Sequence, residues 1–435
     1  MKIAIIGGGI SGLTAAYGLT NQGHEVKLYE TSGVLGGQAS TFNFSGVRVE
    51  GFYHFICGGD KNLVSLLEQL GIGSSLHWSP TKTAFFYNGR LHPFSNALDL
   101  IRFTPISFLS RIRFGLGISY SKFNKNWQKY DHIPGVDWLT RQIGRQAYEV
   151  IWHPLLKIKF GEDYDKISAA WVWHRIHRVS ESRKTVFSPE YMGYLEGGSE
   201  TLMNALGKAI TAGGGEICLK ANVNRILLDQ SRKVSGLIVN GEKHDFDLVF
   251  STVPLPQLIE LLPDEADQLK ARLAKIKFIG VVCMILKLRR PITDIFWLNI
   301  NDPDISFNGI IEYTNLNKSN RFGDYKIAYI PFYLATSEPR FHYSNEQIFE
   351  EYIQAIKRVS PQFSPDWVAD YRVFRHRYAQ AVCTTNFARM MEGPRSPFKG
   401  LYFTDSTQIY PTDRCLSGLI GNAWNALEMI KEDYT

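Results

Sequence analysis

Lys2-Ile-Ala-Ile-Ile6 runs straight into Gly7-Gly-Gly-Ile-Ser-Gly12. The first stretch reads as a buried strand, and the G-x-G-x-x-G after it as a tight turn into a helix. Gly7 permits the turn. Gly9 has no Cβ to keep a phosphate from the backbone, and Gly12 lets the helix lie close to the strand. The start of the helix offers free N–H groups and a partial positive charge, so the turn suits a dinucleotide pyrophosphate. Alone the motif is weak, but its surroundings agree. Leu13-Thr-Ala-Ala-Tyr-Gly-Leu19 follows with small residues for a sheet face, and Glu25-Val-Lys-Leu-Tyr29 gives a second strand. The alternative is an ordinary βαβ turn with no ligand.

Glu30 ends that second strand. A carboxylate there accepts hydrogen bonds from both ribose hydroxyls and repels a 2′-phosphate, which disfavours NADP. Six residues on stand Gly36-Gly37, then Gln38. This spacing resembles the E-x5-GG signature of FAD-dependent oxidoreductases. Gly197-Gly198, the amphipathic stretch to Ile210, Gly213-Gly-Gly215 and the strands expected over 216–220 and from Val223 resemble a passage of the amine oxidase, protoporphyrinogen oxidase and phytoene desaturase superfamily. Asp247-Leu-Val-Phe-Ser-Thr-Val-Pro254 resembles that family's exit from its FAD domain. Gly400-Leu-Tyr-Phe-Thr-Asp405, with a helix expected from about Ser417 to Ile430, resembles its C-terminal close. Thr404-Asp405 departs mildly from the usual Gly-Asp.

The resemblance implies FAD as cofactor. It assigns FAD contacts to Gly7, Gly9, Ile10, Ser11, Gly12, Glu30, Gly36, Gly37, Gln38, Val223, Thr252, Asp405, Cys415 and Leu416. It also implies an α/β fold: a Rossmann-type FAD-binding domain with an inserted helical and β-sheet (α+β) substrate domain. The FAD-binding domain is expected to be discontinuous, over 1–75, 190–260 and 395–435. The insertion at 76–189 reads as mainly helical, with helical spacing over 108–123, 135–143 and 148–158. The insertion at 261–394 carries strand-like runs at 280–288 and 325–333. A site between the two domains is where such a fold places its chemistry.

The 435 residues are too many for one small core. Five scattered cysteines, 57, 218, 283, 383 and 415, include no C-x-x-C. Disulfides and structural zinc are therefore not expected, and a reducing cytoplasmic setting is. A strand starting at residue 2 leaves no room for a signal peptide, and no apolar run is long enough to span a bilayer. Charge is uneven. Between Ile101 and Tyr130 stand Arg102, Arg111, Arg113, Lys122, Lys125 and Lys129 with no acidic residue, interleaved with seven aromatics. Thr104-Pro105 reads as an N-cap and first helical position. Such a helix either packs in the substrate domain with its basic face solvated, or lies peripherally on an anionic membrane surface. No nucleic-acid motif accompanies the charge.

Candidates for chemistry are few, because a flavin carries its own redox chemistry. His54, in Val49-Glu-Gly-Phe-Tyr-His-Phe55, stands where the family's chain runs beneath the flavin ring. It reads equally as a packed structural residue. Arg414 precedes the last helix, where a cation stabilises a reduced flavin or holds an anionic substrate. Tyr410, Tyr402 and Tyr313 are candidate aromatic walls. His174 and His177 share a helical face but lack the partners of a metal site. The family's amine oxidases commonly hold a lysine on a substrate-domain strand, yet Val281–Leu286 has none before Lys287. Cys383 falls near a position of covalent flavin attachment in some relatives, although a buried inert thiol is the better reading. The reading that results is an FAD-dependent oxidoreductase similar to protoporphyrinogen oxidase or phytoene desaturase. It would transfer hydride between flavin N5 and a largely apolar or aromatic small molecule. The alternative is a non-redox flavoenzyme similar to UDP-galactopyranose mutase, with Arg175, Arg178, Arg289 and Arg414 available to grip a diphosphate. A third is a flavin-binding scaffold without turnover.

Overall fold

The computed structural model describes residues 1–123, 126–181, 188 and 190–434. Six helices position the site: α1 (Ile10–Asn21), α2 (Phe108–Phe123), α3 (His153–Phe160), α4 (Ala169–Glu181), α5 (Ser199–Ala212) and α6 (Leu416–Tyr434).

The opening strand Lys2–Ile6 lies inside a parallel five-stranded sheet. Its spatial order is Glu216–Leu219, Glu25–Glu30, Lys2–Ile6, Leu248–Ser251, Leu401–Phe403. Ile3 and Ile5 pack with Leu13 of α1, Leu202 and Leu206 of α5 and Ile420 of α6. Ala4 and Ile6 point the other way, into a core shared with the antiparallel sheet of Val223–Leu228, Val234–Val239 and Glu242–Asp245. Both faces are covered, which is why the strand is a continuous apolar run rather than an alternating one. Each of these fully buried Ile or Leu side chains contributes about 1.5–3 kcal/mol.

A second sheet has seven strands, in the order Val368–Ala381, Phe278–Leu288, Lys326–Leu334, Gly309–Glu312, Trp297–Ile300, Thr83–Tyr87, Arg90–Pro93. Phe278–Leu288 is buried almost throughout. One face packs on the helix Asn345–Val359, which opens with a Ser344/Gln347 capping box. The other faces Phe44, Val49 and Tyr194. The expected runs 280–288 and 325–333 are both in this sheet. It also takes two strands from 76–189. These form a hairpin across Asn88-Gly89, whose φ angles of 50° and 68° are those of a type I′ turn.

Helices cover 108–123 and 135–143, as the spacing predicts. The stretch 148–158 opens with a wide π turn at Tyr148–Trp152 before α3 begins. Thr104-Pro105 is not the helix start. Thr104 and Pro105 form a turn that buries Ile106, and α2 starts at Phe108, where the Ser107 carbonyl accepts from the Arg111 N–H. Lys125, and the side chains of Lys122 and Phe123, lie outside what the structure describes. Among the described residues no helix is long and apolar enough to cross a membrane.

Candidate active site

The turn after the first strand is shaped by its glycines. Gly7 has φ +105°, and a Cβ on Gly12 would sit 1.9 Å from the Gly7 carbonyl oxygen. At Gly9 nothing lies within 4 Å of where a Cβ would be, so that side of the turn is open. Thr252 Oγ1 donates to the carbonyls of Ile6 and Gly7 at 3.0 and 3.3 Å. Glu30 accepts from Gly8 N at 2.6 Å on one oxygen and from Ser32 N at 2.8 Å on the other. Gly36 N donates to the Gly8 carbonyl at 2.8 Å, joining the two glycine loops. Each Glu30 oxygen keeps a lone pair for a further donor.

These residues open onto a cavity of about 1050 Å³. Gly7, Gly9, Ile10, Ser11, Glu30, Gly36, Gly37, Gln38, Val223, Thr252, Asp405, Cys415 and Leu416 all line it. Of the fourteen cofactor positions named from the sequence, only Gly12 does not, because it lies behind the turn against Gly7. The open face of Gly9 and the first-turn N–H groups of α1, which has no side-chain cap, suit a pyrophosphate. Glu30 suits a ribose. The cradle therefore fits a dinucleotide. Asp405 is committed locally: its carboxylate accepts from Thr407 N at 2.9 Å and Thr407 Oγ1 at 2.5 Å. Burial raises its pKa to about 6. The Cys415 thiol accepts from Gly418 N at 3.3 Å, capping the first turn of α6, and burial raises its pKa to about 11.

Beyond the cradle the wall becomes aromatic and aliphatic, with Phe85, Phe94, Phe114, Ile118, Trp152 and Leu155 among its residues. A polar group stands between. Arg414 donates to Tyr333 Oη at 2.6 Å, to the Ala379 carbonyl at 2.5 Å and to Gln38 Oε1 at 3.4 Å. Tyr333 and Tyr53 share a hydrogen bond of 3.1 Å. Burial, then the neighbouring Tyr333, holds the Tyr53 phenol well above its ordinary pKa, so it stays protonated. His54 also lines the cavity, with Nδ1 2.9 Å from the Phe52 carbonyl. Burial keeps its imidazole below the usual pKa, against the pull of Glu50.

Lys159 was not foreseen from the sequence. It reaches the cavity from α3, 3.9 Å from Asp413, which Arg175 also contacts. Burial, followed by the nearby Arg175 and Arg414, lowers the Lys159 pKa to about 7. Asp413 is held well below the carboxylate range, since Lys159 and Arg175 outweigh its burial. A readable signal existed: Trp152, Leu155, Leu156 and Lys159 follow at helical spacing, so a lysine interrupts an apolar stripe.

The structure corrects several candidates. Tyr410 donates to Asp131 at 2.5 Å, Tyr402 to Asp433 at 2.5 Å, and Tyr313 is packed in the core beside Asn317; none lines the cavity. Arg289 donates to the Asp366 and Val368 carbonyls, away from the cavity, while Arg175, Arg178 and Arg414 line it. Lys287 donates to the Ser45 carbonyl at 2.8 Å and does not line it. Cys383 is buried beside the Ala381 carbonyl, and its pKa is raised by burial. His174 is 3.1 Å from Thr412 Oγ1, and His177 stacks on Trp173. Among the described residues no group of three or more His, Cys, Asp or Glu is placed to hold a metal.

The sequence profile of the family described as flavin containing amine oxidoreductase matches residues 10–411. The chain is similar to the 15-cis-phytoene desaturase of Synechococcus elongatus, with 23% identity over 97% of this chain and 93% of that one. In structure it is similar to an oxidoreductase from Methanosarcina mazei, with 20% identity, a TM-score of 0.77 and coverage of 98% and 100%. It is also similar to a reduced UDP-galactopyranose mutase, with 16% identity, a TM-score of 0.78 and coverage of 99% and 95%.

Proposed function

The chain belongs to the flavin-containing amine oxidoreductase family and is an FAD-dependent oxidoreductase, and from that premise we propose that it acts, like a desaturase or protoporphyrinogen oxidase, on a largely apolar or aromatic small molecule. The observation that carries this is one continuous cavity, which runs from the dinucleotide cradle to a wall of Phe85, Phe94, Phe114, Ile118 and Trp152. FAD, when bound, supplies a ring that takes up or gives a hydride. The chain's own residues do the rest. Gly9, Ile10 and Ser11 would hold the pyrophosphate, Glu30 a ribose and Val223 the adenine end. Arg414 and the start of α6 direct positive potential into the middle of the cavity, where negative charge develops on reduction. The aromatic wall excludes water and orients the reacting carbon. Tyr53 holds its proton, and His54, kept neutral, accepts one.

A mutase-type reaction is less well supported. A diphosphate needs several unpaired arginines, but Arg178 is paired with Asp60 and Arg175 with Asp413. The outer face of α2 supports peripheral contact with an anionic membrane, from which an apolar substrate would enter past Phe114 and Ile118 on the inner face of the same helix. The test is anaerobic. A yellow preparation should lose its flavin absorbance when given an apolar polyene or porphyrinogen substrate without added reductant. Turnover of a nucleotide sugar only after dithionite reduction would overturn the reading in favour of the mutase.

A further inference from the structure

Two helices bring cations to the inner end of the apolar wall. On α3 the cavity-lining residues are Trp152, Leu155, Leu156 and Lys159, so the stripe ends in an ammonium. On α4 they include Trp171, Arg175 and Arg178. Arg178 is ion-paired with Asp60 at 3.1 Å. Lys159 makes no hydrogen bond to protein among the described residues. Among the described residues its only carboxylate within 4 Å is Asp413, and 3.9 Å is too long for a hydrogen bond. Asp413 already takes Arg175 and the Arg414 N–H. The Lys159 side chain is 12% exposed, with its ammonium 5.0 Å from the Trp171 ring and 4.9 Å from that of Tyr333. Those rings soften the burial but accept no conventional hydrogen bond. Its N–H donors thus face the cavity, where an acceptor on a ligand can meet them. The lowered pKa fits a missing counter-charge.

Arg414 bridges the two sides, donating to Gln38 of the cofactor cradle and to Tyr333, whose ring Lys159 also faces. Lys159, Arg175 and Arg414 gather about the one carboxylate of Asp413, so this part of the cavity favours an anionic group. A carboxylate at the end of an apolar body suits that charge and the aliphatic wall beside it.

The geometry points to an amphipathic substrate: an apolar body against α2 and α3, ending in one carboxylate held by Lys159. The inference rests on the cavity assigned above to an FAD-dependent oxidoreductase, and names the class of molecule it takes. The test uses the FAD-loaded protein titrated with dodecanoate and with dodecanol, following flavin difference absorbance and tryptophan fluorescence. Dodecanoate should bind at least about tenfold more tightly, the scale of one charge-assisted hydrogen bond. Lys159→Met should erase that preference while leaving dodecanol binding intact, and Lys159→Arg should keep it. FAD content shows that each variant is folded. Equal affinities in the wild-type protein overturn the inference, as does an undiminished preference in Lys159→Met. A wild-type protein that takes up no FAD overturns the oxidoreductase reading instead, so the two failures are separable.

Discussion

An ammonium moved from water into a protein wall loses hydration that only a close acceptor restores. Lys159 has Asp413 at 3.9 Å and no hydrogen bond from its Nζ among the described residues. Its pKa of about 7 lies below the ordinary lysine value of 10.5. Between these values the unfolded chain binds a proton that the folded chain does not, so stability rises with pH. Below about pH 7 the full penalty applies. At about 1.4 kcal/mol per pKa unit, its ceiling is about 5 kcal/mol. Lys159→Met should therefore be more stable than the wild-type protein at pH 6, with an advantage that shrinks as pH rises from 7 towards 10. Denaturant titration across that range checks this, and an advantage that does not vary with pH contradicts it. A residue kept at such a cost to stability is characteristic of a working site. Glu30 shows the opposite case at the same scale. It was legible from the sequence because its position follows from one strand and one turn, whereas Lys159 shows in the sequence only as a lysine breaking an apolar stripe, and its place at the cavity depends on how α3 is rolled against its neighbours.

At the scale of elements, α2 has two faces of different character. Phe114 and Ile118 line the cavity. On the far side Leu109 is 77% exposed and Leu116 68%, beside Ile112 and Tyr120. Arg111 and Arg113 flank this face, donating to backbone carbonyls of Ile101 and Arg141, so no carboxylate neutralises them among the described residues. An apolar stripe between cations complements an anionic lipid surface. In low salt the protein should float with vesicles containing phosphatidylglycerol and stay behind with pure phosphatidylcholine. Leu109→Ser with Leu116→Ser should abolish most of the flotation without loss of FAD. Undiminished flotation of the double variant would remove α2 from this role. The helix was readable from spacing. The hairpin 83–93 was missed despite its Asn88-Gly89 turn, because Thr83-Ala-Phe-Phe-Tyr87 is buried on both faces and shows no alternation.

At the scale of the molecule, the cavity is assembled from distant parts of the chain. Gly7, Gly9, Ile10, Ser11, Glu30, Val223, Thr252 and Leu416 form one part of its wall, and Tyr53, Lys159, Trp171 and Tyr333 another. A ligand contacting all of these stabilises the folded state by mass action. With FAD at a hundredfold its dissociation constant the gain is about 2.7 kcal/mol. Thermal unfolding of apoprotein and FAD-loaded protein should differ by several degrees, and by less for Gly12→Val, whose side chain meets the Gly7 carbonyl. Identical transitions would mean that FAD does not bridge these segments.

The sequence by itself determined the cradle. Its parts, Lys2–Ile6 with Gly7–Gly12, Glu30 and Gly36-Gly37, are governed by local backbone geometry and short fixed spacings. It also determined the strands of the second sheet that are long and apolar enough to read alone. Only the tertiary structure decided which cations face the cavity, which tyrosines do not, and that one ammonium among them lacks an acceptor. Those properties depend on how helices are rolled and how charges hundreds of residues apart in sequence are desolvated together. Arg175 and Asp413 meet across 238 residues of chain, and no local pattern encodes that distance.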